Sequence, residues 1–565
     1  MKHSRLNVLS AALICAFLVD CSGGGGASGG VGAPVAVGGA GGAAAPMAGS
    51  PRNGTGVAPR AHRVRKFQGT SCPGTSNGSY AFVGGNNGNV AYGYASGVLS
   101  GSGNQACDTN SGIAVGQYNY VSAGAGGNDQ NSFVGGGESN VIEGDATDSV
   151  IGAGNANLVG GSATQAMIGA GNSNNICCGA SSAFIGGGYG NLINGTGTQA
   201  VIAGGYYNTA SANNATVAGG QDNQSTNQFS TVAGGKSNVV SAEYAAIAGG
   251  NSNQIGSSAT AAFIGAGQGN VINSTGYQAV IAGGYYNTAS ANNATVGGGQ
   301  NNQSTNQFAA VAGGELNVVS SEFGTAAGGY KNSVSASYGS VAGGYENSAS
   351  GYESMVAGGA SNAASGTQSF AAGGTANVAS GADSFAAGYH ASAGYTGSFV
   401  WSDASSASGA KATAANQFIA RTSGGATFFS NAAMTTGVKL APGAGSWASA
   451  SDRNLKNDIA LLDDESILNR VAMLPITEWS YISEPGVRHI GPMAQDFYAA
   501  FGIGEDNRHI TTIDEDGIAL AAIKALHHEN ASLKRQLVQV RSELAGVGAL
   551  RAEVKALQAK VATLR

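Results

Sequence analysis

Between about residue 80 and residue 400, short apolar steps recur along the chain at a regular spacing. Each step ends in Ala or Gly followed by Gly, and an Asn follows at intervals of 15 or 17 residues. A unit such as TVAGGKSNVVSAEYA (231–245) holds two short apolar runs separated by turn residues. At ~3.3 Å per residue, two such strands and two turns make one coil of a β-solenoid. The pattern therefore predicts a mainly β fold with a parallel β-roll or β-solenoid shaft over 80–400.

The residue types of the repeat indicate how its coils close and stack. Gly and Asn suit corners with positive φ, and Ala and Gly suit a narrow lumen. One Asn in every coil can form a hydrogen-bonded ladder with its neighbours. The ladder is predicted at Asn140, Asn157, Asn174, Asn191, Asn208, Asn223, Asn238, Asn253, Asn270, Asn287, Asn302, Asn317, Asn332, Asn347, Asn362 and Asn377. Residues 183–217 recur almost unchanged 79 residues later as 262–296, so the shaft has grown by copying coils.

The repeat resembles the head of trimeric autotransporter adhesins, most clearly in SYGSVAGGYENSASGYESMVAGGASNAASGTQSFAAGG (337–374). In that family three chains wind side by side as left-handed parallel β-rolls. The resemblance implies a homotrimer that binds or displays at a cell surface. The Tyr, Asn, Gln and Thr side chains of the repeat suit a surface glycan, a host protein or an ice-like surface equally, so the sequence leaves the ligand open.

The chain changes character after residue 400. Residues 401–450 contain scattered aromatic residues and are predicted to form a trimeric β neck. Just over half of all Asp, Glu, Lys and Arg residues lie in 451–565. Within it, 451–522 is predicted to be a small α/β domain. Residues 523–565 carry a mainly apolar seam at alternating steps of 3 and 4, except for a second step of 3 from Val547 to Leu550, and this seam predicts a parallel coiled coil. The seam residues are Ile523, Leu526, Asn530, Leu533, Leu537, Val540, Leu544, Val547, Leu550, Val554, Leu557, Val561 and Leu564.

A hydroxyl and an amine lie five residues apart where the charged segment begins, at Ser451 and Lys456. They are the ingredients of a serine-lysine dyad, in which the Lys acts as a base only when burial lowers its pKa from ~10.4. The alternative is a structural role, because Ser or Asp before an apolar run commonly caps a helix or makes a turn.

The segment from Ser451 onward resembles the C-terminal intramolecular chaperone and auto-protease domain of endosialidase-type phage tail spikes. The matching stretches are SDRNLKNDI (451–459), LPITEWSY (474–481), HIGPMAQDF (489–497) and IDEDGIALAAIKAL (513–526). In that family the Ser and Lys form a self-cleaving dyad, which implies Ser451 and Lys456 here. Pro492 departs from the commoner family sequence and leaves the strand at that point open.

The resemblance implies acyl transfer in cis, without a cofactor. Attack of Ser451 on the carbonyl of Ala450 passes through a five-membered ring, so we expect the Ala450-Ser451 bond to be cut. The next bond is the alternative if a neighbouring chain supplies the nucleophile.

The first residues indicate export. Lys2, His3 and Arg5 precede an apolar core, and 1–21 is predicted to be a signal peptide. Leu18-Val19-Asp20-Cys21 resembles a bacterial lipobox, which makes Cys21 a candidate lipidation site, although Asp20 fits the lipobox poorly. Residues 22–79 form a low-complexity linker. We expect a secreted protein or one at the cell surface or outer membrane of a bacterium, with a membrane contact only through this lipid anchor.

Other chemistry is weakly represented. Cys72 and Cys107 could form a disulfide after export, whereas Cys177 and Cys178 are adjacent. No Cys and His spacing indicates a metal site, and GAGNANLVG (152–160) lacks the helix that a dinucleotide loop requires. We therefore expect no metal, cofactor or nucleic-acid partner.

These observations predict an exported homotrimeric surface fibre or adhesin, whose C-terminal domain assembles the trimer and releases itself by autoproteolysis at Ser451. One alternative is a phage-derived tail fibre that binds a host glycan, against which the signal peptide argues. Another is a purely structural surface or biofilm protein that is not cleaved.

Overall fold

The repeat winds into a parallel β-solenoid, in which each strand pairs with the strand one full coil later. The computed structural model describes residues 72, 78–85, 87–122 and 130–564. Two parallel sheets run along the solenoid, and we call them sheet A and sheet B. In a typical coil, Thr231–Val232 of sheet A pairs with Ala246–Ile247, and Val239–Val240 of sheet B pairs with Gln254–Ile255. The predicted β-solenoid is confirmed.

Most strands of both sheets contain only two residues. Sheet A is formed by Phe82–Val83, Gly97–Val98, Gly112–Ile113, Phe133–Val134, Val150–Ile151, Met167–Ile168, Phe184–Ile185, Val201–Ile202, Thr216–Val217, Thr231–Val232, Ala246–Ile247, Phe263–Ile264, Val280–Ile281, Thr295–Val296, Ala310–Val311, Thr325–Ala326, Ser340–Val341, Met355–Val356, Phe370–Thr375, Phe385–Tyr389, Phe399–Ser402 and Phe418–Arg421. Sheet B is formed by Val90–Ala91, Gln105–Ala106, Tyr120–Ser122, Val141–Glu143, Leu158–Val159, Asn175–Ile176, Leu192–Ile193, Thr209–Ala210, Gln224–Ser225, Val239–Val240, Gln254–Ile255, Val271–Ile272, Thr288–Ala289, Gln303–Ser304, Val318–Val319, Ser333–Val334, Ser348–Ala349, Ala363–Ala364, Val378–Ala379 and Ser392–Ala393.

Each strand turns one side chain into the lumen and the other outward, as the period of two requires. Val232 and Val240 are fully buried, whereas Thr231 and Val239 are half-buried on the outside. The largest lumen side chains are isoleucines in the first two thirds of the shaft, and Val and Ala replace them further on. The 17-residue coils place their two additional residues in the connection from sheet B to sheet A.

The predicted asparagine ladder is present and satisfies the buried corner of every coil. Asn238 is fully buried, and its backbone N and its Nδ2 both donate to Oδ1 of Asn223, over 3.0 and 3.2 Å. Its Nδ2 also donates to the carbonyl oxygens of Gly234 and Gly250, each over 2.9 Å. The same arrangement continues upstream of the predicted range to Asn104 and Asn89. Because buried polar groups need partners, this ladder fixes the register of successive coils.

The corners depart from the expected use of Gly and Asn. Gly235 has φ 90, and a Cβ there would collide with the carbonyl oxygen of Gly250, so Gly is required. The ladder asparagine does not take positive φ, but the residue before it does, as with Ser237 at φ 55. Aromatic residues such as Tyr244 take the same conformation at the other corner, at φ 56. The N–H of Ser237 donates to the carbonyl of Gln221 in the preceding coil over 2.8 Å, which helps to offset the steric cost.

Sheet A continues to Arg421, past the predicted end of the repeat at residue 400. A three-stranded antiparallel sheet follows in the predicted neck, formed by Ala426–Phe429, Gly437–Leu440 and Ala448–Ser449. Phe428 packs near Trp447, with 5.6 Å between ring centroids, and both rings are largely exposed.

The C-terminal segment contains three helices and one small sheet. They are α1 (Asp464–Met473), α2 (Ala494–Phe501) and α3 (Thr512–Ala562), with the antiparallel pair Thr477–Trp479 and His489–Gly491 between α1 and α2. The strand of HIGPMAQDF ends at Gly491 because Pro492 has no N–H to donate. Among the described helices, none combines the length and apolar character that crossing a bilayer demands.

Candidate functional site at the start of the C-terminal segment

The residues around Ser451 are placed by the end of the neck sheet and by a short helix. The N–H of Ala450 donates to the carbonyl of Gly437 over 3.1 Å, directly after the strand Ala448–Ser449. A 3₁₀ helix, Arg453–Leu455, begins three residues later. The predicted scissile bond therefore joins a residue held by the neck to the first residue of the helical segment.

Asp452, and not Ser451, caps the short helix. Its Oδ1 accepts hydrogen bonds from the backbone N of Asn454 over 2.9 Å and from Nδ2 of Asn454 over 3.1 Å. The alternative prediction, that Ser451 caps a helix, is therefore wrong, because its neighbour Asp452 is the capping residue. The Ser451 hydroxyl is left available for another partner.

That partner is Lys456. Its Nζ donates a hydrogen bond to Ser451 Oγ over 2.6 Å, so the two predicted dyad residues lie within direct proton-transfer distance. If the amine is neutral, the hydrogen bond can have the opposite direction, in which the Ser451 hydroxyl donates to Lys456 Nζ. This is the geometry that an activated serine requires.

The single chain does not supply the pocket that such chemistry needs. Ser451 and Lys456 are both exposed, and so are the apolar side chains that follow them. Leu455, Ile459 and Leu462 are each more than half exposed. In the single chain the Ser451 hydroxyl and the Lys456 amine therefore both lie in contact with solvent.

The rest of the segment is held by a small core and by capped helix starts. Ile467 of α1, Phe497 of α2 and Ile518 of α3 are buried together. Lys524 Nζ and Asp464 Oδ2 lie 2.5 Å apart and join α3 to α1. Two of the stretches that carry the family resemblance are also paired in the fold, because Trp479 of LPITEWSY pairs with His489 of HIGPMAQDF. The helix α3 is continuous and keeps its apolar seam exposed, and the coiled coil remains a prediction.

A cluster that the sequence analysis missed closes the base of the solenoid. The Asp403 carboxylate accepts hydrogen bonds from Ser405 Oγ and from Ser423 Oγ and N, each over 2.6 Å, and from Arg421 Nε over 3.1 Å. The hydroxyl of Ser405, followed by that of Ser423, lowers the pKa of Asp403 well below its usual range. Arg421 also donates to the carbonyls of Asp403, Ser406 and Ser408. Asp403 and Arg421 carry opposite charges and lie 18 residues apart, close to the length of one coil. That spacing is the one sequence signal that could have indicated the pair.

The remaining candidate residues are placed as follows. Cys21 lies outside the described residues. Cys72 and Cys107 form a disulfide that packs against Tyr120. Cys177 and Cys178 are free, and burial raises the pKa of the Cys177 thiol. Within 72, 78–85, 87–122 and 130–564, no group of three or more His, Cys, Asp and Glu residues could hold a metal ion.

The comparison with protein families bears on the same segment. Residues 451–502 match the family described as the chaperone of endosialidase. The match starts at Ser451 and includes Lys456, α1, the two-stranded sheet and α2. It supports a C-terminal intramolecular chaperone domain of the endosialidase tail-spike type, placed behind a β-solenoid shaft. No curated protein gives a significant match to the chain.

Proposed function

We propose, from the match of residues 451–502 to the chaperone of endosialidase and the dyad geometry within them, that this protein is an exported homotrimeric surface fibre. Its C-terminal domain assembles three shafts in register and then releases itself. The observation that carries the proposal is the 2.6 Å hydrogen bond between Lys456 and Ser451 at the junction of neck and chaperone.

Exposed apolar surface supports assembly into trimers. The α3 seam residues Leu533, Leu537 and Val540 are each more than half exposed, and the neck exposes Phe428 and Trp447. Soluble monomers rarely leave apolar patches of this extent uncovered. Three parallel copies bury both regions and set the starting register of the shafts.

The same assembly completes the catalytic site. Copies packed around the neck cover Leu455 and Ile459 and remove water from Lys456, which lowers its pKa and makes the neutral amine available. Cleavage is therefore conditional on assembly. A chain that has not found its partners keeps its chaperone.

The proposed cleavage requires only groups of the chain itself and one water molecule. Neutral Lys456 takes the hydroxyl proton while Ser451 Oγ attacks the carbonyl carbon of Ala450. The Ala450-Ser451 amide breaks, its nitrogen receives the proton from Lys456, and an ester joins Ala450 to Ser451 Oγ. Water hydrolyses this ester, which leaves a carboxylate on Ala450 and restores the hydroxyl on a new N-terminal Ser451.

The dependence of cleavage on chain concentration tests the proposal. In cell-free synthesis at falling template concentrations, a site completed by partners predicts that about tenfold dilution lengthens the half-time of cleavage severalfold or more. Leu537→Asp places a charge in the seam and is expected to abolish both trimer formation and cleavage. Ser542→Asp lies outside the seam and is expected to preserve both. A half-time that is independent of concentration, or cleavage of monomeric Leu537→Asp chains, contradicts the proposal.

A further inference from the structure

An open groove lined mostly by polar residues crosses several coils of the shaft on the corner that leads from sheet B to sheet A. Its volume is about 530 Å³, and its lining includes Ser274, Thr275, Tyr277, Asn292, Asn306 and Gln307. The groove lies where the connection shortens from seven residues (273–279) to five (290–294) in the next coil. The longer connection forms one wall, so the groove follows directly from the change between coil lengths.

Tyr277 differs from the other exposed aromatic residues of this corner. Phe308, Phe323 and Tyr338 stack on one another, with ring centroids 4.9 and 5.1 Å apart and nearly parallel planes. Each of these rings therefore has at least one face covered by a neighbouring ring, and the stacking stabilises the coils. Tyr277 is 44% exposed and packs against no other aromatic ring in the described part of the chain. Its ring is free to contact a ligand.

The polar groups beside Tyr277 are uncharged and partly held in place. Asn306 Nδ2 donates to the carbonyl of Ser320 over 3.1 Å, and Asn306 Oδ1 accepts from the backbone N of Gln307 over 2.8 Å. The side chains of Asn292 and Gln307 are exposed. The lining thus presents carboxamides and hydroxyls around one aromatic ring, with no acidic or basic side chain among them.

We propose that this groove, which we call the Tyr277 groove, binds a neutral oligosaccharide. A pyranose ring offers an apolar C–H face to a Tyr ring and hydroxyls at its rim to carboxamides. The absence of Lys, Arg and His from the lining disfavours sialylated, sulfated or phosphorylated glycans, whose charges need partners. This inference deepens the proposed surface-fibre function, on which it rests for its biological setting, and it assigns the shaft its ligand class.

The duplication of the shaft supplies an internal comparison. Asn292, Asn306 and Gln307 correspond to Asn213, Asn227 and Gln228 in the upstream copy, 79 residues earlier. Tyr277 corresponds to Thr198, and Ser274 corresponds to Gly195. The upstream corner therefore keeps the carboxamides without the aromatic ring. We expect a single oligosaccharide site per chain in this duplicated region.

The test uses the full chain and two named sets of probes. Neutral tetrasaccharides of glucose, galactose, mannose and N-acetylglucosamine are compared with sialylated and sulfated oligosaccharides on an array, and the best neutral probe is then titrated by calorimetry. Tyr277→Ala is expected to weaken binding at least tenfold, Tyr277→Phe to retain most of it, and Thr198→Ala to leave it unchanged. Thr198→Tyr is expected to raise the number of sites.

Several results would overturn the Tyr277 groove as a glycan site. These are no binding to any neutral probe, binding to charged probes alone, or equal affinity of Tyr277→Ala and wild type. Trypsin resistance of each variant shows that the shaft is folded. The result is separate from that of the proposed cleavage, because shaft binding is measured with cleaved and uncleaved chains alike.

Discussion

Lys456 Nζ donates a hydrogen bond to Ser451 Oγ over 2.6 Å, although both side chains are exposed in the single chain. The pair has the distance of a catalytic dyad without the burial of one. The distance between the two atoms is thus set by the short helix that Asp452 caps. Under the proposed function, assembly supplies the missing burial, and cleavage would then report whether three chains have come together.

Lys456→Arg is expected to abolish cleavage while trimers still form. Arginine keeps a positive hydrogen-bond donor beside Ser451, but the guanidinium stays protonated in proteins and cannot take the hydroxyl proton. The measurement is a denaturing gel for cleavage together with native mass for the oligomer. Lys534→Arg, on α3 away from the dyad, is the matched control and is expected to be cleaved normally. Cleavage of Lys456→Arg at the wild-type rate would show that Lys456 is not the base.

Asn238→Ala is expected to destabilise its coil by about 2–4 kcal/mol, because it removes the acceptor of the buried Asn253 N–H and a donor to the Gly234 carbonyl. Hydrogen exchange of the peptides covering 231–255 measures the local opening free energy. Asn251 lies in the next coil and its side chain is exposed, so we expect Asn251→Ala to change the opening free energy by no more than about 0.5 kcal/mol. Equal exchange in the two variants would mean that the ladder does not hold the coils.

Asp403→Asn is expected to open the base of the solenoid to proteolysis. Hydrogen bonds from Ser405 and Ser423 hold the pKa of Asp403 below the ordinary ~3.9, so folding favours the carboxylate. The stabilisation is complete above the unfolded pKa and is lost as the pH falls through the lower folded pKa. In the wild type, pepsin is therefore expected to spare the segment 401–418, which has cleavable bonds at Trp401 and Phe418, near about pH 4.5 and to cut it only at strongly acidic pH.

In Asp403→Asn, the same segment is expected to be cut at both pH values. Asp383→Asn, an exposed carboxylate in the preceding coil, serves as the control and is expected to behave as wild type. Protection of 401–418 in Asp403→Asn at both pH values would show that Asp403 does not hold the end of the shaft closed.

The sequence predicts the features that every coil repeats. The spacing of Asn140, Asn157 and the later ladder residues predicts both the length of each coil and the asparagine ladder. A period that persists over many coils is compatible with few folds other than a solenoid. The corner conformation of Tyr244 was not predictable in this way. It depends on a backbone hydrogen bond to the preceding coil, which no local preference of Tyr reveals.

Structural features that occur only once in the described residues could not be predicted from the sequence either. Asp403 and Arg421 are brought together by one turn of the solenoid, and the Tyr277 groove depends on the particular side chains that line one step between coils of unequal length. For the dyad, the spacing and the family resemblance predict the pair Ser451 and Lys456, and the structure brings the two atoms within hydrogen-bond distance. The exposure of the pair could not be predicted, because it depends on how much of its surroundings a single chain provides.

The intact mass of the purified protein tests the central claim most directly, with wild type compared with Ser451→Ala. The account predicts that the wild type yields a fragment that begins at Ser451 and a shaft that ends at Ala450, and that Ser451→Ala remains whole. A wild-type chain that stays intact as a trimer, or a Ser451→Ala chain cut at the same bond, would contradict it.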